Sequence, residues 1–120
     1  MQQLQMTIAG QVPSKSNCYR VISVAGHGSL AKTKALKAFE QSFFMQCPYR
    51  GRGLKSRFEL KADVYYSSDR PDLDNALKVL LDCLQACKVI DNDRHCIAIV
   101  ARKLIDKDRP RVELTLTEII

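Results

Sequence analysis

The sequence predicts a single α+β domain in which two helices pack on a mixed sheet. The length of 120 residues suits one domain. A composition of 46% hydrophobic and 27% charged residues is that of an ordinary globular protein. Segments with a two-residue apolar period alternate with two segments of helical period. The expected order of elements is β-α-β-α-β-β over residues 1–120.

The first half of the chain predicts a strand, a long loop and a helix. Residues 2–9 alternate loosely between apolar and polar side chains and predict a strand that ends at Gly10. Residues 10–31 are rich in Gly, Ser, Pro and Asn, which predicts a loop, and loops of this length in small domains are often functional. In residues 32–46 apolar side chains recur at helical spacing, so we expect an amphipathic helix that ends before Pro48.

The second half predicts a strand, a helix and two further strands. Residues 58–66 alternate strictly and give the clearest strand signal in the chain. A helix is expected over residues 72–86, after a turn that contains proline. Strands are expected around residues 96–105 and 111–118, joined by the polar turn 106–110.

The formal net charge of +6 is unevenly distributed along the chain. Residues 1–57 hold nine Lys/Arg and one acid (+8), residues 58–93 hold eight acids and four bases (−4), and residues 94–120 hold six bases and four acids (+2). A basic field attracts phosphate backbones, whereas clustered carboxylates repel them unless a divalent cation lies between. The distribution therefore indicates a nucleic-acid partner and an acidic centre that needs its own explanation.

Several classes of protein are disfavoured by the sequence. No apolar run approaches the roughly 18 residues of a membrane span, so no membrane partner is expected. The N-terminal residues lack the basic and apolar regions of a secretion signal, and we expect a cytoplasmic protein. The five cysteines show no Cys-x-x-Cys pair, which favours buried reduced thiols over a disulfide framework or a zinc site built on Cys83, Cys87 and His95.

Two acidic groups flank the second predicted helix. Asp72 and Asp74 lie at its start, and Asp91 and Asp93 follow its end. A helix-capping role for Asp72 and an i,i+4 ion pair between Asp74 and Lys78 would explain the first group without catalysis. Three carboxylates that converge would instead suit Mg²⁺. Because the helix is about 22 Å long, Asp93 meets Asp72 only if the next strand runs back beside the helix or a second subunit joins the groups.

Three motifs stand out in the sequence. The central motif is Asp72-Leu73-Asp74-Asn75-x-x-Lys78, and after a helix it is followed by Val89-Ile90-x-Asn92-Asp93. The third motif is Pro13-Ser14-x-x-Asn17-x-Tyr19-Arg20, after the first predicted strand. These motifs resemble those of the RusA family of Holliday junction resolvases, which are small prophage-associated endonucleases, and the third is similar to a stretch that follows the first strand of the family. Chain length and element order also agree, so the resemblance covers nearly the whole chain.

The resemblance implies roles for four residues. Asp72, Asp74 and Asp93 match the catalytic carboxylates that hold the metal, which is Mg²⁺ or, with the same oxygen ligands, Mn²⁺. Lys78 matches the catalytic lysine, which contacts the scissile phosphate or stabilises developing charge. The resemblance also implies a homodimer, because a four-way junction is cut by two symmetrically placed nicks. No organic cofactor is expected.

The chain departs from the family pattern just before the last strand pair. Asn92 stands where many members have the first Asp of an acidic pair, and His95 stands where many have Gln. The second acid is displaced to Asp91, for which we expect at most an outer role. All three principal carboxylates remain in place.

The expected function is a metal-dependent endodeoxyribonuclease that resolves four-way junctions and leaves 5′-phosphate and 3′-hydroxyl ends. Phosphate contacts are expected from two basic regions, which comprise Lys15, Asn17, Tyr19, Arg20, Lys32 and Lys34 in one and Arg50, Arg52, Lys55 and Arg57 in the other. Tyr19 or Tyr49 either stacks at an opened junction centre or packs in the fold. The alternatives are a non-catalytic nucleic-acid-binding module and a structural or interaction protein with incidental positive charge.

Overall fold

A computed structural model describes residues 2–119 of the chain. Within these residues there are six strands, β1 (Gln3–Ala9), β2 (Tyr19–Val24), β3 (His27–Lys32), β4 (Phe58–Tyr66), β5 (Cys96–Ile105) and β6 (Arg111–Glu118). The helices are α1 (Lys34–Gln46) and α2 (Leu73–Ala86), and short 3-10 turns span Lys15–Asn17 and Asp93–His95. Neither helix is long and apolar enough to cross a membrane.

Four strands form one mixed sheet in the order β1-β6-β4-β5. The β4–β5 pair is parallel, whereas β4–β6 and β1–β6 are antiparallel. Parallel pairing requires a crossover, and α2 supplies it between β4 and β5. The predicted α+β class with a mixed sheet is therefore confirmed.

One face of this sheet carries the core. The alternate side chains of β4 that face the core are fully buried; they are Phe58, Leu60, Ala62, Val64 and Tyr66. Side chains of β1 and β6 are buried on the same face of the sheet. Both helices cover this face with their own apolar residues, among them Leu36, Phe39 and Phe43 of α1 and Ala76, Leu80 and Leu84 of α2. The period-2 signal thus gave both the strand and its buried face.

The prediction of a loop over residues 10–31 is wrong for its second part. Strands β2 and β3 form an antiparallel hairpin, joined by Ala25 and Gly26. Both turn residues have positive φ, 51° and 81°, as a two-residue turn that matches strand twist requires. We call this hairpin, residues 19–32, the arm. The order of elements becomes β-β-β-α-β-α-β-β.

Thr33 ties the arm to α1. Its backbone N–H donates to the Cys18 carbonyl over 3.0 Å, and its hydroxyl donates to the Asn17 carbonyl. The same hydroxyl oxygen accepts from the Leu36 N–H at 3.2 Å, which makes Thr33 the N-cap of α1. Helix α1 therefore begins at Lys34, two residues later than predicted.

At the other end of α1, the side-chain amide of Gln46 contacts β1. Its Oε1 accepts from the Ala9 N–H at 2.7 Å, and its Nε2 donates to the Ala9 carbonyl at 3.0 Å. The amide group therefore occupies backbone groups at the end of this edge strand.

The cysteine thiols are mostly interior. Cys18, Cys47, Cys83 and Cys87 are buried, and Cys96 is half-buried. Burial raises the pKa of Cys83 to about 12 and that of Cys87 to about 11. These thiols pack as small apolar groups, as expected for reduced cysteines.

Candidate active site

Asp72 precedes α2 with its carboxylate exposed. It occupies the N-cap position with an extended backbone, but its side chain makes no capping hydrogen bond. The capping role considered above requires that hydrogen bond to an N–H of the first turn. The carboxylate of Asp72 is therefore not engaged in holding the helix.

Lys78 turns away from Asp74 and pairs with Asp82. Its Nζ lies 3.1 Å from Oδ1 of Asp82, whereas Asp74 accepts a hydrogen bond of 2.8 Å from the Asn75 N–H. The hydrogen bond to Asp82 is the main cause of the raised pKa of Lys78, and the charges of Asp82 and Asp93 add to it. The i,i+4 pair of Asp74 with Lys78 is thus not formed, and Lys78 is a cation at neutral pH.

Asp93 lies near the opposite end of α2 from Asp72. Its backbone N–H donates to Oε1 of Gln85 over 2.9 Å. Gln85 is thirteen residues beyond Asp72, about 20 Å along the helix axis. Strand β5 does run back beside α2, since Nζ of Lys103 lies 3.2 Å from the Pro71 carbonyl. Asp93, however, precedes this strand and stays at its beginning.

One chain therefore separates the expected metal ligands into two groups. Asp72 and Asp74 lie at the start of α2, and Asp93 lies beyond its end. Among residues 2–119, no three His, Cys, Asp or Glu side chains are close enough to hold a metal ion. The return of β5 does not bring the three carboxylates together.

Asn75 connects the acidic motif to the Pro13–Arg20 segment. Its Nδ2 donates to the Pro13 carbonyl at 3.0 Å and lies 3.7 Å from Sγ of Cys18. Because Cys18 directly precedes the arm, Asn75 fixes the root of the arm one turn from Lys78. This contact joins residues more than fifty positions apart, and no local pattern predicts it.

A cavity of about 530 Å³ lies between these segments. Its lining is mostly polar and includes Ser14, Asn17, Ser68 and Arg70. Sequence reasoning missed Arg70, although a basic residue two positions before Asp72 was a visible signal. The guanidinium of Arg70 therefore lies beside the start of α2.

The first basic region gathers around the root of the arm. A cavity of about 400 Å³ is lined by Arg20, Lys32, Thr33, Lys34 and Lys37, and Lys15 is exposed nearby in sequence. Lys37 was not predicted, although it follows Lys34 by one turn. Nζ of Lys32 lies 2.8 Å from a carboxylate oxygen of Glu40, which raises the pKa of Lys32.

Part of the second basic region makes contacts within the folded chain. Arg50 donates to the Phe44 carbonyl at 2.8 Å and stacks over the Phe44 ring, so it closes the end of α1. Arg52 donates to Gln2 at 2.9 Å. Tyr49 packs against the core, which favours its structural role over stacking on DNA.

Lys55 and Arg57 remain exposed at the end of this region. Arg57 shares an open cavity of about 580 Å³ with Arg94, His95 and Ile97. The cavity lies next to Asp93 in the chain. Arg94 was also missed, although it directly follows Asp93.

The position of these residues agrees with a comparison against protein-family models. Residues 13–117 match the family described as Endodeoxyribonuclease RusA. The chain belongs to the RusA family. The match includes the arm, α2 and all the residues proposed above for catalysis and DNA contact. No curated protein sequence matches the chain. RusA membership makes the protein an endodeoxyribonuclease of a family that acts on Holliday junctions.

Proposed function

We propose that this RusA protein is a Mg²⁺-dependent endonuclease that resolves four-way junctions by two symmetric nicks, leaving 5′-phosphate and 3′-hydroxyl ends. The observation that carries the proposal is the pair of exposed carboxylates at the start of α2, Asp72 and Asp74, with Lys78 one turn away. Among residues 2–119, neither carboxylate is in an ion pair, and Asp72 does not cap the helix. Exposed carboxylates without a cationic partner in this part of the chain favour ligand binding over a structural role.

The donor atoms suit the proposed metal. Asp72 and Asp74 offer carboxylate oxygens, the ligands that Mg²⁺ prefers, and Mn²⁺ accepts the same set. One oxygen of Asp74 is already held by the Asn75 N–H, which fixes the orientation of the carboxylate. When bound, such an ion supplies Lewis-acid stabilisation and lowers the pKa of coordinated water.

Lys78 and the arginines act on the DNA directly. The ammonium of Lys78 neutralises charge that develops on the scissile phosphate, and the hydrogen bond that Lys78 donates to Asp82 keeps the ammonium protonated. Arg70 and the basic cavity at the root of the arm contact flanking phosphates. These contacts position the strand without reading its bases.

The homodimer is best placed on the edge strand β5. Among the described residues this strand pairs only with β4, and its other edge is open. It is ten residues long and exposes the apolar side chains of Ile97, Ile99 and Val100. A long apolar edge strand is a template for pairing with another chain. We propose that two copies join here about a two-fold axis.

This pairing would complete the site. Two-fold related strands pair in antiparallel fashion, so the beginning of one β5 lies beside the end of the other. Lys103, near the end of β5, contacts Pro71 next to Asp72. Asp93 of the partner subunit would thereby approach Asp72 and Asp74. Each dimer would have two equivalent sites, as paired nicks require.

The decisive experiment is incubation with a synthetic four-way junction, with and without Mg²⁺, read on a denaturing gel. We expect symmetric nicks with Mg²⁺ or Mn²⁺ and a loss of about 100-fold or more in rate for Asp74→Asn. Asp108→Asn, in the exposed turn after β5, is the matched control and should cleave normally. Wild-type rates for Asp74→Asn would refute the proposal, and junction binding without nicking would indicate the non-catalytic module.

A further inference from the structure

The arm exposes apolar side chains for which the fold provides no cover. Twelve of its fourteen residues are exposed. Val21 and Leu30 face each other across the hairpin and are 78% and 68% accessible. Two-stranded hairpins are marginal by themselves, and exposed apolar side chains weaken them further unless a ligand covers them.

The uncovered face begins at the candidate active site. Side chains alternate along a strand, so Tyr19 and Val21 share a face with Leu30, which lies directly across from Val21. Tyr19 directly follows Cys18, which Asn75 holds against the start of α2. The apolar face therefore extends outward from the start of α2, where Asn75 lies one turn before Lys78.

The positive charge of the arm indicates that its partner is nucleic acid. Residues 19–32 contain Arg20, His27 and Lys32 but no acidic residue. Lys34 and Lys37 add positive charge at the root. Two such arms would repel each other, whereas a phosphate backbone would be attracted.

Paired DNA, however, offers little apolar surface to this face. The flat surfaces of bases become accessible where stacking is interrupted, and proteins exploit this by inserting apolar side chains between base steps. A branch point is such an interruption. The bases at a branch point provide an apolar surface against which Val21 and Leu30 can pack.

We propose that the arm is a wedge that holds open the base pairs at a DNA branch point, with Val21 and Leu30 against the exposed bases. Basic residues at its root hold the adjoining backbone, which presents the phosphate to Lys78. The inference rests on the proposed function and adds a physical reason for selecting branched over linear DNA.

The test compares Val21→Thr/Leu30→Thr with the control Val24→Thr, which makes the same kind of change on the opposite face of the arm. Threonine retains β propensity, so the hairpin should persist. In an Asp74→Asn background, 2-aminopurine placed at the branch point reports base unstacking through increased fluorescence. We expect that increase with Asp74→Asn alone and with added Val24→Thr, and its loss in the Val21/Leu30 variant.

Nicking supplies the second readout, measured in the catalytically intact chain. The double variant should cut a fully paired junction about tenfold more slowly, a loss of about 1.4 kcal/mol, because the cost of unstacking the bases is no longer offset. A junction with mismatched pairs at the branch point removes that cost. On this substrate the double variant should regain the wild-type rate.

Equal losses on the paired and mismatched junctions, or no loss on either, would overturn the wedge. A change in sedimentation of the double variant would also overturn it, because the face would then contact a second copy. If wild type nicks neither junction, the proposed function fails. The fluorescence signal still tests the wedge in that case, so the two failures are distinguishable.

Discussion

Buried ionisable side chains make the stability of this protein sensitive to alkaline pH. Burial raises the pKa of Cys83 from 9.0 to about 12 and that of Cys87 from 9.0 to about 11. It raises the pKa of Tyr66 from 10.0 to about 12. The folded chain therefore keeps protons that the unfolded chain releases. This stabilisation is complete below the unfolded pKa values and is lost as pH rises through the folded ones.

We expect the free energy of unfolding to fall as pH rises above 9.0, the unfolded pKa of the thiols. Each group ionised only in the unfolded chain contributes a slope of about −1.4 kcal/mol per pH unit. Cys83→Ala should reduce the slope by one such contribution, whatever it does to stability at neutral pH. Urea unfolding from neutral pH to about pH 11 measures this. An unchanged slope in Cys83→Ala would show that this thiol does not contribute.

At this scale the sequence identified candidate groups but not their partners. Asp74 and Asp82 each lie four positions from Lys78, and the acid-before-base order of Asp74 and Lys78 is the better one for an isolated helix. In the structure, Lys78 pairs with Asp82 instead. The charge of Asp93 acts on Lys78 from a separate segment. A helical wheel of α2 does not include Asp93, so it cannot show this interaction.

Among the secondary-structure elements, the arm and α1 depend on a shared residue. The hydroxyl of Thr33 accepts from the Leu36 N–H and donates to the Asn17 carbonyl. It therefore caps the helix and closes the root of the arm with the same atom. Loss of this hydroxyl should affect both elements together.

Thr33→Ala should reduce stability by about 1 kcal/mol, the usual cost of a lost N-cap. It should also accelerate amide hydrogen exchange in β2 and β3, because the root of the arm loses a hydrogen bond. Thr33→Ser keeps the hydroxyl and should remain close to wild type in both measurements. Protection of the arm that is equal in Thr33→Ala and Thr33→Ser would contradict the shared role.

The elements were predictable where one periodicity dominated. Residues 58–66 alternate strictly, and β4 has those bounds. The arm was missed because Ser23, Gly26, Gly28 and Ser29 give its sequence the composition of a loop. Its strands are held by cross-strand backbone pairing and the positive φ of the turn, and hardly by burial. A method that reads burial periodicity has little signal there.

The whole molecule measures 50 × 35 × 24 Å, with a radius of gyration of 14.9 Å. A compact chain of this length has about 13.6 Å. The chain is therefore more extended than a compact domain of its length. The sequence predicted the core of this molecule but not the arm, and it left open whether Asp93 meets Asp72 through the returning strand or through a second subunit. Both depend on how the elements are arranged in space.

If Asp93 acts across the dimer, two inactive variants should restore each other. We expect Asp74→Asn and Asp93→Asn each to be inactive, whereas a mixture that has exchanged subunits should regain nicking. Half of the dimers would be mixed, and each would contain one fully native site. The expected rate is about a quarter of wild type. Single-turnover nicking of a junction measures it.

Ile99→Lys, placed in either variant, provides the control. A charge on the apolar edge of β5 should disfavour pairing, which sedimentation would show as monomer, and restoration should disappear. Failure of the mixture to nick, although each variant remains dimeric, would mean that Asp93 does not act in trans. Dimers that persist with Ile99→Lys would place the interface elsewhere.

The two outer strands of the sheet have opposite surface chemistry. β1 exposes Gln3, Gln5 and Thr7, and the amide of Gln46 occupies the backbone groups of Ala9 at its end. Among the described residues, β5 pairs with β4 alone and is apolar. Because the polar side chains of β1 and the occupied groups of Ala9 disfavour pairing at that edge, a sheet that recruits a strand at β5 should stop growing after one pairing. The same edge that joins two copies would therefore not propagate into fibres.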